Sequence, residues 1–137
     1  MKDYGPKTFG KLNAEDHDEL HDPRTKEKTI ALIAELAGWG RVFELAIGTG
    51  RVAVPLAQRG VMIEGMDASP EMVAKMREKP GGVAIPVTIG DMAELEVQGP
   101  FDFAFLIFNT LFNLTSQEDQ ARCISRMAAS LNPGSAF

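Results

Sequence analysis

The chain has 137 residues, 45% apolar and 24% charged, the balance of a single globular domain rather than of a disordered, collagenous or disulfide-stapled chain. Lys and Arg number 14 against 19 Asp and Glu, a formal charge of −5, which argues against a nucleic-acid binder relying on phosphate neutralisation. Cys123 is the only cysteine and no apolar run approaches a membrane span, so disulfides, Cys-x-x-Cys sites and a membrane partner are not expected.

The first segment, residues 1–28, is rich in charge and poor in apolar residues, and its start lacks the core of a signal peptide; a cytoplasmic protein is expected. Asn13 to Leu20 has the makings of a turn or two of helix, ending near Asp22-Pro23. Thr25 reads as an N-cap for a helix over Lys28 to Ala37, with Ile30, Ile33, Ala34 and Ala37 at helical spacing and Gly38 as its stop. Arg41 to Ala46 is a first strand leading into the Gly48-Thr-Gly50 turn, followed by a helix over Arg51 to Gln58 with Val52, Leu56 and Ala53 inward. Val61 to Met66 is a second strand. Ser69 caps the helix after it, Pro70 takes its first position, and Met72, Val73 and Met76 face the sheet.

Val83 to Ile89 is a third strand, which Pro86 assigns to an edge or bulge. Phe101 to Phe108 is the most apolar strand, with the character of one buried on both faces. Ser116 to Leu131 is a helix with Ile124, Met127 and Leu131 on its inner face, Asn132-Pro-Gly134 is a turn, and Ser135-Ala-Phe137 begins a fifth strand. Alternating strands and helices predict an α/β domain over residues 29–137: a Rossmann-like parallel sheet with helices on both faces, preceded by an N-terminal helical segment.

Two glycines directly after a buried strand let the chain turn tightly and let a ligand approach the backbone. Asp67 ends the second strand 19 residues after Gly48, where an acidic residue can grip ribose hydroxyls, and Gly90-Asp91 ends the third. These features share the carboxyl edge of the sheet, where ligands bind in open α/β folds. Gly48-x-Gly50-x-x-Ala53 satisfies the dinucleotide fingerprint, so an NAD(P)- or flavin-dependent oxidoreductase is one reading.

A broader match exists. Glu44-x-Ala46-x-Gly48-x-Gly50, Gly65-Met-Asp67-Ala-Ser-Pro-Glu-Met72 and Gly90-Asp91-Met92 resemble, in order, the first three motifs of class I S-adenosylmethionine-dependent methyltransferases. Phe101-Asp102-Phe103 and Leu131-Asn-Pro-Gly134 are similar to that family's fourth strand and its turn into the fifth, so the resemblance runs from about Thr25 to Phe137. It implies an enzyme that transfers a methyl group from S-adenosylmethionine to a small-molecule acceptor. It also implies that Glu44 holds the methionine end and that Gly48 and Gly50 pass beneath the cofactor. Asp67, with Ala68 beside it, would bind the ribose, and Asp91 with Met92 would contact adenine. Ala46 stands where the family has its first glycine, a methyl that would tighten the pocket. A cofactor-binding module without catalysis is a third reading.

The acceptor side carries fewer signals. Asn109 follows the fourth strand but lacks the prolines of an amine-methylating Asn-Pro-Pro-aromatic motif, and reads as a capping or turn residue. His17 and His21, at i and i+4, read as surface or lid, Tyr4 and Phe9 are lid candidates, and the seven methionines read as core filler. The family's sheet has seven strands and this chain ends as the fifth begins. The reading therefore expects a truncated domain with an unpaired edge on the fourth strand, open to a second copy, and weak cofactor binding without turnover.

Overall fold

A computed structural model describes residues 23–137. The expected turn at Asn13–Leu20, the His17/His21 pair, Tyr4 and Phe9 lie outside the described residues. In order, the elements are α1 (Pro23–Ala37), β1 (Arg41–Leu45), α2 (Ala53–Gln58), β2 (Met62–Asp67), α3 (Pro70–Arg77), β3 (Val87–Ile89), β4 (Phe101–Phe105), α4 (Gln117–Ala129) and β5 (Leu131–Ala136). The five strands form one sheet in the order β3-β2-β1-β4-β5, every pair parallel, which bears out the Rossmann-like α/β expectation.

Alternation along the strands divides the core in two. Val42, Ile63, Phe103 and Phe105 pack with Ile30 and Ile33 of α1, Leu56 of α2, and Val73 and Met76 of α3. Phe43, Leu45, Met66 and Ala104 pack with Cys123 and Met127 of α4. Phe43 and Phe101 are in ring contact, with centroids 4.9 Å apart, between neighbouring strands of that second layer. The chain runs outward from β1 to β2 and β3, then crosses back to lay β4 on the other side of β1. That reversal opens a crevice above the carboxyl ends of β1 and β4.

Several expectations are corrected. Helix α1 starts at Pro23, a residue suited to the first helical turn, so Thr25 is inside the helix rather than its cap. The third strand keeps only three residues: Gly82–Ala84 forms a 3-10 turn after Gly81 at φ 84°, and Pro86 sits just outside the strand. Strand β4 stops at Phe105, because Phe108 adopts φ 58° and a 3-10 turn follows at Thr110–Asn113. In α4 the inward residues are Cys123 and Met127; Ile124 is 44% exposed, and Leu131 already belongs to β5.

The fourth strand is not an edge. Leu131 pairs with Phe101 and Ala136 with Phe103, so β5 carries extra residues over that interval and bulges. The Asn132-Pro-Gly134 turn is this bulge, held by Asn132 Nδ2 donating to Asp102 Oδ1 at 2.7 Å. Asp102 Oδ2 also accepts from the Arg41 N–H at 2.8 Å, at the end of the sheet opposite the crevice.

The turn after β1 sets the geometry above the sheet. Ala46 (φ 53°), Gly48 (φ 59°) and Gly50 (φ 70°) are all left-handed. A Cβ on Gly50 would lie 2.4 Å from Met76 Cγ and 2.9 Å from Val54 Cγ2, so its bare backbone lets α2 and α3 close against the turn. Gly50→Ala is therefore expected to destabilise by about 2–4 kcal/mol, from overpacking plus left-handed strain. Ala46→Gly relieves the same strain and should stabilise by up to about 1 kcal/mol after the entropy cost of glycine. Urea unfolding measures both, and a neutral Gly50→Ala would contradict the packing described.

Candidate functional site

A cavity of about 370 Å³ opens in the crevice, walled by the turns after β1, β2 and β3 and by the segment after β4. Glu44, Ala46 and Gly48 come from the first turn, Asp67 and Ala68 from the second, and Asp91 and Met92 from the third. Ile107, Phe108, Asn109 and Thr110 close the β4 side. Seven of the eight residues singled out in the sequence thus share one cavity. Gly50 does not line it; packing against Met76 and Val54 is its role.

Glu44, next to last in β1, has its carboxylate in the cavity wall, only 3% exposed, and its Oε2 has no hydrogen-bond partner. Loss of water pushes its carboxyl well above the ordinary 4.5, the Arg51 guanidinium pulls it back, and the Asp67 charge adds to the rise. A buried acceptor without a donor costs free energy, which a cationic ligand in the cavity would recover. Arg51 is itself buried in the same wall, and its guanidinium lies 4.3 Å from the centre of the Phe108 ring.

Asp67 ties two turns together. Its Oδ2 accepts from Gly48 N–H and its Oδ1 from Ser69 N–H, each at 2.8 Å. Ser69 Oγ in turn accepts from Met72 N–H at 3.2 Å, the cap expected for α3. Asp91 Oδ1 accepts from Ala93 N–H at 2.8 Å, which fixes the 3-10 turn Met92–Glu94 beside the cavity. Met92, nearly buried, offers an apolar face there.

Sequence reasoning missed Arg51 and, in the 107–110 wall, Ile107, Phe108 and Thr110. Arg51 carried a signal: a cation where a helix begins works against the helix dipole and asks for another reason to be there. Phe108 carried none, because in sequence it continues the apolar run of β4. Asn109 stands at the N-cap of the 3-10 turn, yet its side chain makes no capping bond and lines the cavity instead. The capping part of its expected role is thus not met.

Comparison with known proteins gives a consistent result. The family signature described as a methyltransferase domain matches residues 42–134. The glycine/sarcosine N-methyltransferase of Halorhodospira halochloris is 28% identical over 82% of this chain and 44% of its own length. Among solved structures, the CcbJ methyltransferase of Streptomyces caelestis superposes with a TM-score of 0.87 at 34% identity, covering 96% of this chain and 56% of CcbJ. The magnesium protoporphyrin IX methyltransferase ChlM of Synechocystis PCC 6803, solved with S-adenosylmethionine bound, gives a TM-score of 0.64 at 26% identity over 80% of this chain and 54% of ChlM. The chain spans about half the length of the curated relatives it matches.

The burial of Glu44 has a pH signature. With its folded-state pKa raised, the native form holds a proton that the unfolded chain releases, so stability falls as pH climbs above 4.5 toward the raised value. Glu44→Gln removes this slope. Urea unfolding from pH 4.5 to 8 should show Glu44→Gln gaining on the wild type as pH rises, with the two converging near pH 4.5; parallel curves would contradict the desolvated carboxylate.

Proposed function

Because the chain belongs to the methyltransferase domain family, we propose that it binds S-adenosylmethionine in this cavity as part of an enzyme that methylates a small molecule. The observation that carries the reading is Glu44: a buried carboxylate oxygen without a donor, aimed into a cavity whose next wall presents Asp67. An ammonium group satisfies the first, and ribose hydroxyls are suited to donate to the carboxylate of the second. Ala68 continues the ribose wall, while Asp91 and Met92 frame a slot for a flat base, polar at one rim and apolar across its face. Gly48 passes beneath, its missing Cβ leaving room next to the Met72 methyl.

When bound, S-adenosylmethionine supplies an electrophilic methyl on a sulfonium. The chain's own task is to hold that methyl and an acceptor in line, which is catalysis by proximity and orientation. The 107–110 wall faces the acceptor side. An amine-bearing small molecule is the acceptor class we favour, supported by the N-methyltransferase among the relatives. The charge of −5 supports a small molecule over a nucleic acid, and the cytoplasm is the proposed location. Among the described residues no helix is long and apolar enough to cross a membrane. Residues 29–137 are the proposed cofactor unit, with 1–28, whose end already lies in α1, as the candidate lid.

Two variants and two ligands test this reading by calorimetry. Asp67→Ala should weaken S-adenosylhomocysteine by about 2–3 kcal/mol through loss of two charge-assisted hydrogen bonds. The same variant should lose stability, since Gly48 and Ser69 N–H both lose their acceptor. Ala46→Leu should block the ligand sterically. Tight NAD binding with no response to S-adenosylhomocysteine would replace this reading with the oxidoreductase one.

A further inference from the structure

The short 3-10 turn Met92–Glu94 has two sides. Asp91 and Met92 line the cavity, whereas the exposed Glu94 meets α4. The two oxygens of Glu94 are held separately: Oε1 accepts from Arg122 Nη1, and Oε2 pairs with Arg126 Nη2 at 3.4 Å. Arg126 also donates from Nη1 to the Leu95 carbonyl at 3.2 Å, so one guanidinium grips a side chain and the backbone of the next residue. Glu118 and Asp119, one turn earlier on α4, lie 3.5 and 3.3 Å from Arg122 and complete the ionic network.

Such a turn needs outside support, because 3-10 hydrogen-bond geometry is poor. Its own bonds are Glu94 N–H to the Asp91 carbonyl at 3.0 Å and the Asp91 cap on Ala93. Beneath it, Ala93 and Leu95 pack with Cys123 and Met127 of α4. That apolar contact is non-directional and fixes only depth, while planar guanidinium bonds fix orientation. A lone exposed ion pair contributes little, but a network of several charges is the exception. Helix α4 therefore sets the angle at which Asp91 and Met92 meet a ligand.

We propose that Arg122 and Arg126, acting through Glu94 and the Leu95 carbonyl, are positioning residues that align the turn after β3 with the base of the cofactor and let the site select adenine over its deaminated form, hypoxanthine. The proposal rests on the cofactor reading above. A carboxylate such as Asp91 only accepts, so it suits the exocyclic amino group of adenine and opposes the carbonyl that replaces it in hypoxanthine. Telling the two apart demands a wall held within about 0.5 Å, and the arginine pair supplies that hold.

Two ligands read the effect: S-adenosylhomocysteine and S-inosylhomocysteine, identical except for the base. The ratio of their affinities, measured by calorimetry, does not depend on the fraction of protein folded, so a change in it marks positioning rather than stability. The wild type should prefer the adenine ligand by about 10-fold or more, the effect of one hydrogen bond to a charged group. Glu94→Gln keeps the shape, removes the charge and should cut that ratio about three- to fivefold. Arg126→Met should cut it at least as far, and Arg126→Lys should restore part of it. Raising sodium chloride from about 0.05 M to about 0.5 M should lower the wild-type ratio and leave that of Glu94→Gln nearly unchanged, because exposed charges are screened.

A ratio unchanged in either Glu94→Gln or Arg126→Met, even with a shared loss of both affinities, would make the network structural and overturn the proposal. So would a wild-type ratio of one, or a ratio that salt does not move. Each of these leaves the cofactor reading standing. A wild type that binds neither ligand would overturn that reading and the proposal with it.

Discussion

One carboxylate holds the site together. Asp67 accepts from Gly48 N–H with one oxygen and from Ser69 N–H with the other, each at 2.8 Å, so the turn after β1 and the turn after β2 are tied to a single side chain. The left-handed run Ala46–Gly48–Gly50 needs such a tether, because a turn with three residues at positive φ is not held by backbone preference alone. Once Gly48 is fixed, the chain reverses above β1 and leaves Glu44 facing inward. Ser69, fixed by the other oxygen, caps α3 and sets Met72 and Met76 under the same turn.

The charge pattern follows from that frame. A sheet edge with strand-end carboxylates and one guanidinium is poor at burying an apolar molecule and well suited to a polar ligand carrying both signs. Burial does the rest: at 3% exposure Glu44 has lost the water that would otherwise satisfy it. Its interaction with a cation is therefore stronger than at the surface, and the cost of leaving it alone is higher. Phe108 contributes from the opposite wall, with its ring over Arg51, so the two sides of the crevice are in direct contact at its end.

Much of this was legible in the sequence, for identifiable reasons. Ser69-Pro70 announced α3, since a capping hydroxyl and a proline at the first helical position act locally and need no tertiary context. Asp67 and Asp91 were legible because strand ends in a parallel sheet share one edge, so spacing along the chain becomes proximity in space; Glu44 was legible only through the resemblance to the methyltransferase motifs. The failures came where tertiary packing overrides local pattern. Phe108 continues an apolar run yet leaves the strand, because the chain must turn over the cavity. Gly50 matched the dinucleotide fingerprint, and periodicity could not reveal that Met76 and Val54 pack into the space of its missing Cβ. The Asn132-Pro-Gly134 stretch has turn composition and became a bulge within β5, since Asp102 on β4 supplied Asn132 with a partner that periodicity could not reveal.

The central claim is that one cavity at the carboxyl edge of the sheet holds the cofactor. Hydrogen–deuterium exchange with and without S-adenosylhomocysteine tests it most directly. The account predicts slowed exchange over residues 44–51, 67–69 and 90–93, and unchanged exchange at the opposite end of the sheet around Arg41, Glu64 and Gly99. Protection at that opposite end, or none at any of the three turns, would contradict it.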